Sequence, residues 1–210
     1  DMFRKTAWLA IPLFALVGCD SDNDSSSGSE NAAFTMNILH INDHHSNVEE
    51  GSQALTIAGQ ETEFAAGGFP RVSAKIAERE AELDNVLKLH AGDAITGTLY
   101  FTSFEGEADA ELMNQVCFDA FALGNHEFDR GDEGLKKFLD LLDSGSCNTP
   151  VLAANVKPQV GTPLAPFAEG DYIQPYIIKE MGGEQVGIIG IDIANKTRNS
   201  SSPADTTEFL

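Results

Sequence analysis

The chain has 210 residues, 42% hydrophobic and 22% charged, the make-up of one or two folded domains and not of a disordered, collagenous or polytopic membrane protein. Thirteen Lys and Arg against 33 Asp and Glu leave a net charge of −20, which excludes a basic groove for a nucleic-acid polymer. An acidic protein that handles anionic phosphates must draw positive charge from elsewhere, and a metal ion is the usual source.

Near the N-terminus, Arg4 and Lys5 lead into Ala7 to Val17, AWLAIPLFALV. That apolar run falls short of the ~20 residues a helix needs to span a bilayer and has the pattern of a secretory signal peptide. It ends in Leu16-Val17-Gly18-Cys19, which resembles the lipobox of bacterial lipoproteins. That resemblance implies that residues 1–18 are a lipoprotein signal peptide, that Cys19 carries lipid, and that the protein is exported and anchored to a bacterial membrane, in the periplasm or on the cell surface. Residues 19–33, CDSDNDSSSGSENAA, hold no large apolar side chain; they cannot offset the entropy of ordering and read as a flexible tether. The folded domain is expected from Phe34 to Leu210.

Short apolar runs at Met36–Ile41, Val86–Leu89, Phe118–Leu123, Val151–Ala154 and Val186–Ile191 read as buried strands. Between them the pattern predicts helices over Pro70–Leu83, with Pro at a first helical position, over Glu107–Val116, and over Gly134–Leu142, where Leu135, Phe138, Leu139 and Leu142 share a stripe. Alternating strands and helices predict a layered α/β fold with a substantially parallel sheet. Asn155–Asp171 and Ser200–Thr207 read as irregular. Export implies an oxidising compartment, and with Cys19 taken by lipid, Cys117 and Cys147 remain. Each precedes a predicted strand, and one helix joins the two strands, so a right-handed crossover would set the cysteines at one sheet edge, within disulfide reach.

Three of the predicted strands run into polar clusters: Asn42-Asp43-His44-His45, Gly92-Asp93, and Gly124-Asn125-His126-Glu127 followed by Asp129. Sites in open α/β sheets form at the carboxyl ends of strands, so neighbouring strands would converge these groups. Carboxylates and imidazoles are a ligand set for Zn, Mn or Fe. Gly-Asn-His-Glu has only about a one-in-a-thousand chance of arising in a chain this size. His44 reads as a strand-end residue or one that supports the ligands from behind, not as a ligand itself, His90 as a buried, satisfied histidine, and Glu127 as a structural hydrogen-bonding group. Arg71 and Arg130 could meet phosphate but read better as salt-bridge partners.

The stretches ILHINDHHSNVE (38–49), GGFPRV (67–72), HAGDAITGT (90–98), ALGNHEFD (122–129), PVLAANV (150–156) and VGIIGI (186–191) together resemble the calcineurin-like metallophosphoesterases, within them the secreted 5′-nucleotidase, UDP-sugar hydrolase and 2′,3′-cyclic phosphodiesterase group. The resemblance implies a two-sheet sandwich flanked by helices and a centre of two divalent ions, Zn, Mn or similar. By motif position, Asp43 and His45 would hold the first ion, Asp93 would bridge both and Asn125 would hold the second. His126 and Asp129 would be the catalytic pair. Two such ions clamp phosphoryl oxygens and acidify a bound water. The substrate implied is a nucleotide or nucleotide-sugar.

The family draws further ligands from later histidine-bearing stretches and a base-binding domain, and no histidine follows His126 here. The resemblance thus implies a partial catalytic domain, not an active hydrolase by itself. Ala194–Leu210 resembles the loop after the Val186 strand. The rival readings are a thiosulfohydrolase-type sulfur-ester hydrolase of the same fold and a non-catalytic surface-binding lipoprotein.

Overall fold

The computed structural model describes residues 34–210; the lipid-bearing Cys19, the signal peptide and the tether expected from the sequence lie outside the described residues. The elements, in order, are β1 (Asn37–Ile41), β2 (Gly51–Ile57), β3 (Gln60–Ala66), α1 (Phe69–Glu82), β4 (Val86–His90), α2 (Leu99–Phe104), α3 (Glu107–Val116), β5 (Ala120–Ala122), a 3-10 turn (His126–Phe128), α4 (Gly131–Asp143), β6 (Val151–Leu152), β7 (Val156–Pro158), β8 (Ile173–Gln174), β9 (Tyr176–Met181), β10 (Glu184–Ile189), α5 (Ala194–Ser200) and β11 (Thr207–Phe209).

The central sheet has the order β1-β4-β5-β6-β8, and every pairing in it is parallel. Parallel neighbours need crossovers, and α1, α3 and α4 supply them. All three helices pack on one face. There Phe69 and Ile76 of α1, Ala110, Met113 and Val116 of α3, and Leu135, Phe138, Leu139 and Leu142 of α4 form one buried cluster with Phe121 of β5. Each such side chain stabilises the fold by about 1.5–3 kcal/mol on burial. The opposite face carries Leu87, Ala120 and Leu152, covered by Met181 of β9 and Ile188 of β10. The layers are therefore helices, parallel sheet, then an antiparallel β9–β10 hairpin, an α/β arrangement of two facing sheets like the sandwich that the resemblance implied.

The expected strands and helices form close to their predicted places, with four differences. The Val186 run is not a crossover-linked member of the parallel sheet; it is the second arm of a hairpin whose turn is Gly182-Gly183, both at positive φ. Residues 51–66, unassigned from the pattern, form the β2–β3 hairpin around Ala58-Gly59, both left-handed, the conformation a two-residue primed turn demands. Both its strands are exposed on either face, so no alternation of apolar and polar residues marks them. The Asn155–Asp171 segment and the C-terminal stretch are not wholly irregular, because β7 pairs with β11 and α5 precedes it. The 3-10 turn and α2 lie in short connections too brief for a period to show.

Cys117 and Cys147 form a disulfide with Cα atoms 5.1 Å apart. The cysteines precede β5 and β6, which pair in parallel, so the predicted common sheet edge is what brings them together. Closing a loop of about 30 residues stabilises the fold by roughly 3–4 kcal/mol.

Candidate metal centre

Because β1, β4 and β5 are adjacent and parallel, the three polar runs emerge side by side. Backbone bonds carry the pairing past the strand ends: the N–H groups of Asp43, His45 and Ser46 donate to the carbonyls of Gly92, Asp93 and Ala94 at 2.9, 3.1 and 3.0 Å. This bend requires left-handed backbone at Asp43, His45, Ser46 and Asp93, with φ of 51, 45, 51 and 53°. Such conformations cost of order 1–3 kcal/mol each in non-glycine residues and persist only where the surroundings over-determine them. Two glycines let the tips approach. A Cβ on Gly92 would sit 2.6 Å from the Gly124 nitrogen, and one on Gly124 would sit 2.4 Å from Asp93 Oδ1. The glycines of Gly92-Asp93 and Gly124-Asn125-His126 are there for backbone contact, and the residues beside them carry the chemistry.

His45, Asp93 and His126 each turn one ligand atom into a space where these atoms lie within 4.8 Å of one another. The two imidazoles meet edge to face with ring centres 4.8 Å apart. Asp43 lies beside this group, with Oδ1 3.7 Å from His45 Nε2 and its other oxygen accepting from the Asn42 amide. Asn125 is buried, and its Nδ2 has no hydrogen-bond partner. Asp93 Oδ1 accepts the His126 backbone N–H at 2.8 Å. His126 Nδ1 lies 2.7 Å from Asp129 Oδ2, a pair that leaves Nε2 free of Asp129. Partial burial works against the charged imidazolium of His126, but the Asp129 hydrogen bond and the charges of Asp129, Asp93 and Glu127 outweigh it, and the pKa is raised.

Beneath the cluster, Glu127 is fully buried. Its two oxygens accept the backbone N–H groups of Asp93, Ala94 and Gly124 at 2.9, 2.7 and 2.7 Å, stitching the β4 and β5 tips together. Burial pushes its carboxyl up to about 7 against the opposing pull of those donors. Arg71 pairs with Glu50. Arg130, expected in a salt bridge, instead lies over the Phe101 ring, 5.8 Å from its centre, because the α4 N-terminus carries it over α2.

The donor set fits a divalent cation. Imidazole nitrogen and carboxylate oxygen converge, and among the described residues no Lys or Arg pairs with Asp43 or Asp129, whose partners are histidines. The Asn125 amide has the same outline with N and O exchanged, and that exchange turns its orphaned buried corner into an acceptor a cation would satisfy.

The calcineurin-like phosphoesterase family pattern matches residues 36–198. The chain is 46% identical over 196 residues, 93% of its length, to "Probable 5'-nucleotidase" of Treponema pallidum, of which it covers 30%. The solved structure of Haemophilus influenzae NAD nucleotidase superposes with a TM-score of 0.77 at 48% identity, over 83% of this chain and 29% of that one. The 5'-nucleotidase precursor of Thermus thermophilus gives a TM-score of 0.71 at 38% identity, over 84% and 32%. The chain thus spans about 30% of the length of the curated relatives it matches.

Proposed function

The chain belongs to the calcineurin-like phosphoesterases, enzymes that use divalent metal ions, and from that premise we propose that it carries the metal-binding end of a hydrolase that releases phosphate from nucleotides. The observation that carries this reading is the convergence of His45, Asp93 and His126 at three adjacent strand tips, in a chain 46% identical to a protein named as a 5'-nucleotidase. The nucleotide substrate rests on such relatives, and the number and identity of the ions on the resemblance of the motifs.

In this reading Asp43, His45 and Asp93 would hold one ion, and Asp93 with Asn125 would hold part of a second. Bound divalent ions supply positive charge for the phosphoryl oxygens and a nucleophile at neutral pH. Asp93 is committed to this place before any ion arrives, since Oδ1 already takes the His126 N–H and its left-handed backbone aims the carboxylate at the cluster. Asp129 accepts the Nδ1 proton of His126 and so fixes the tautomer and direction of the ring. The raised pKa favours a proton on His126, and from Nε2 that proton can stabilise charge on the phosphoryl group or pass to the leaving oxygen. Glu127 touches no substrate in this scheme; it holds the two tips at their spacing.

The lipid anchor on Cys19 and an exported location belong to the same reading, supported by the signal-like N-terminus. Mass spectrometry of the N-terminal peptide tests that part, and an unmodified Cys19 behind an intact residue 1 overturns it. The activity is tested on the protein at its natural full length. The expected result is stoichiometric divalent metal and phosphate release from nucleoside monophosphates that a chelator abolishes. A protein that binds no stoichiometric metal overturns the reading.

A further inference from the structure

A buried chain of hydrogen bonds runs behind the ligand loops. Gly92 N–H donates to His90 Nδ1 at 3.2 Å. His90 Nε2 lies 2.9 Å from His44 Nδ1, and His44 Nε2 lies 3.0 Å from Asp109 Oδ1. The Ser46 hydroxyl donates to the other Asp109 oxygen at 2.8 Å. Asp109 and Ser46 are fully buried, and His90 nearly so.

These distances leave one consistent direction for the protons. His90 Nδ1 accepts from Gly92, so His90 Nε2 carries the hydrogen and donates to His44. The His44 Nδ1 is then an acceptor, and its Nε2 donates to Asp109. An ionised carboxylate can only accept, so it terminates the chain from both sides. Each ring nitrogen is used once. Burial holds His90 neutral, its pKa lowered well below the ordinary value, with His44 adding to the effect.

The endpoints matter more than the chain. His44 and Ser46 flank the ligand His45, in the segment where Asp43, His45 and Ser46 are all left-handed. Gly92 precedes the ligand Asp93. One carboxylate on α3, at the helix's first turn where its charge suits the dipole, therefore ties down both loops that carry the candidate ligands. We propose that Asp109 is the positioning residue of the metal centre: through His44 and Ser46 it holds the strained 43–46 loop, and through His44 and His90 the turn before Asp93, in ligand geometry. This rests on the metal-centre reading given under Proposed function.

The substitution that probes it is Asp109→Ala, which removes both acceptors. His44 Nε2–H and the Ser46 hydroxyl then lose their buried partner, whereas an Asn could turn its oxygen to His44 and its N–H₂ to the Ser46 hydroxyl, which also accepts. The measurement is Co(II) binding, by affinity and by visible absorption, on the natural full-length protein and its variants. Asp109→Ala is expected to weaken Co(II) binding about tenfold, the low end for groups that orient ligands, and to change the visible band. Ser46→Ala should weaken it about threefold, and little further in the Asp109→Ala background, as for residues acting through one partner. Met181→Ala, in the core cluster on the opposite face of the sheet, should lower the melting temperature and leave the Co(II) affinity unaltered, which separates positioning from general stability. Wild-type affinity and spectrum in Asp109→Ala overturn the proposal. If that variant does not fold, Ser46→Ala decides, and wild-type binding there overturns it too. Failure of the unaltered protein to bind Co(II) is a different result: it overturns the metal-centre reading, and this inference with it.

Discussion

His126 and His90 belong to the same corner of the molecule, one on the turn after β5 and one at the end of β4, and their surroundings drive them in opposite directions. His126 is partly exposed and paired with Asp129, and its pKa is raised. His90 is buried between the Phe118 and Phe121 rings, 5.4 and 5.2 Å between centres, and its pKa is lowered. At His126 desolvation is outweighed by the neighbouring carboxylates, whereas at His90 desolvation dominates and the second imidazole adds to it. A carboxylate at the surface rewards the imidazolium, whereas an apolar pocket with a second imidazole at its mouth rejects it. One histidine thus favours its proton beside the candidate metal ligands, and the other is kept as a neutral link in a scaffold.

Four substitutions would break or sharpen that contrast. The largest effect is expected from Asp93→Asn, which alters the candidate ligand that faces both His45 and His126; phosphate release should fall by about 10³-fold or more, together with metal content. Wild-type metal content and rate in that variant would mean that the site lies elsewhere. His126→Asn should lower turnover by about 10²- to 10³-fold with metal content retained, read by elemental analysis beside the assay. Loss of metal in step with activity would instead make His126 a ligand. Asp129→Asn, at the carboxylate that pairs with His126, should cost about tenfold to a hundredfold, less than Asp93→Asn, and should shift the pH profile of turnover toward acid as the imidazolium loses its partner.

The smallest effect concerns His90. Its folded pKa lies below its unfolded value near 6.5, so stability is intact above that pH and is lost as the pH falls beneath it, by up to about 1.4 kcal/mol per unit. Urea unfolding of chelator-treated protein at pH 7.5 and 5.5 should show wild type losing about 1 kcal/mol more than His90→Gln over that interval. An equal loss in both would show that His90 is not held neutral. His126 runs the other way, its contribution present at acid pH and lost as the pH rises through its raised value, but its exposure keeps that contribution screened.

Some of this was legible in the residue order alone. Apolar runs that end in Asp-x-His, Gly-Asp and Gly-Asn-His-Glu announce strand tips with polar groups, because a strand's period and its termination are local. The α3 bounds and the α4 stripe are local for the same reason. The Cys117–Cys147 pairing needed one long-range assumption, that β5 and β6 lie side by side, and the crossover rule supplies it. The β2–β3 hairpin was not legible, because strands exposed on both faces leave no alternation to read.

What the sequence by itself determined is which residues could do chemistry and that they stand at strand ends. The strand order β1-β4-β5 decided that His45, Asp93 and His126 meet, since adjacency in a sheet depends on packing among distant segments. Tertiary structure alone decided the part of Asp109. It sits mid-sequence in a helix with no motif around it, 65 residues from His44 and 63 from Ser46, and nothing in its neighbours shows that its carboxylate ends a buried chain of protons. A hydrogen bond over that separation exists only once the helix layer has closed on the sheet and excluded the water that would otherwise satisfy both partners.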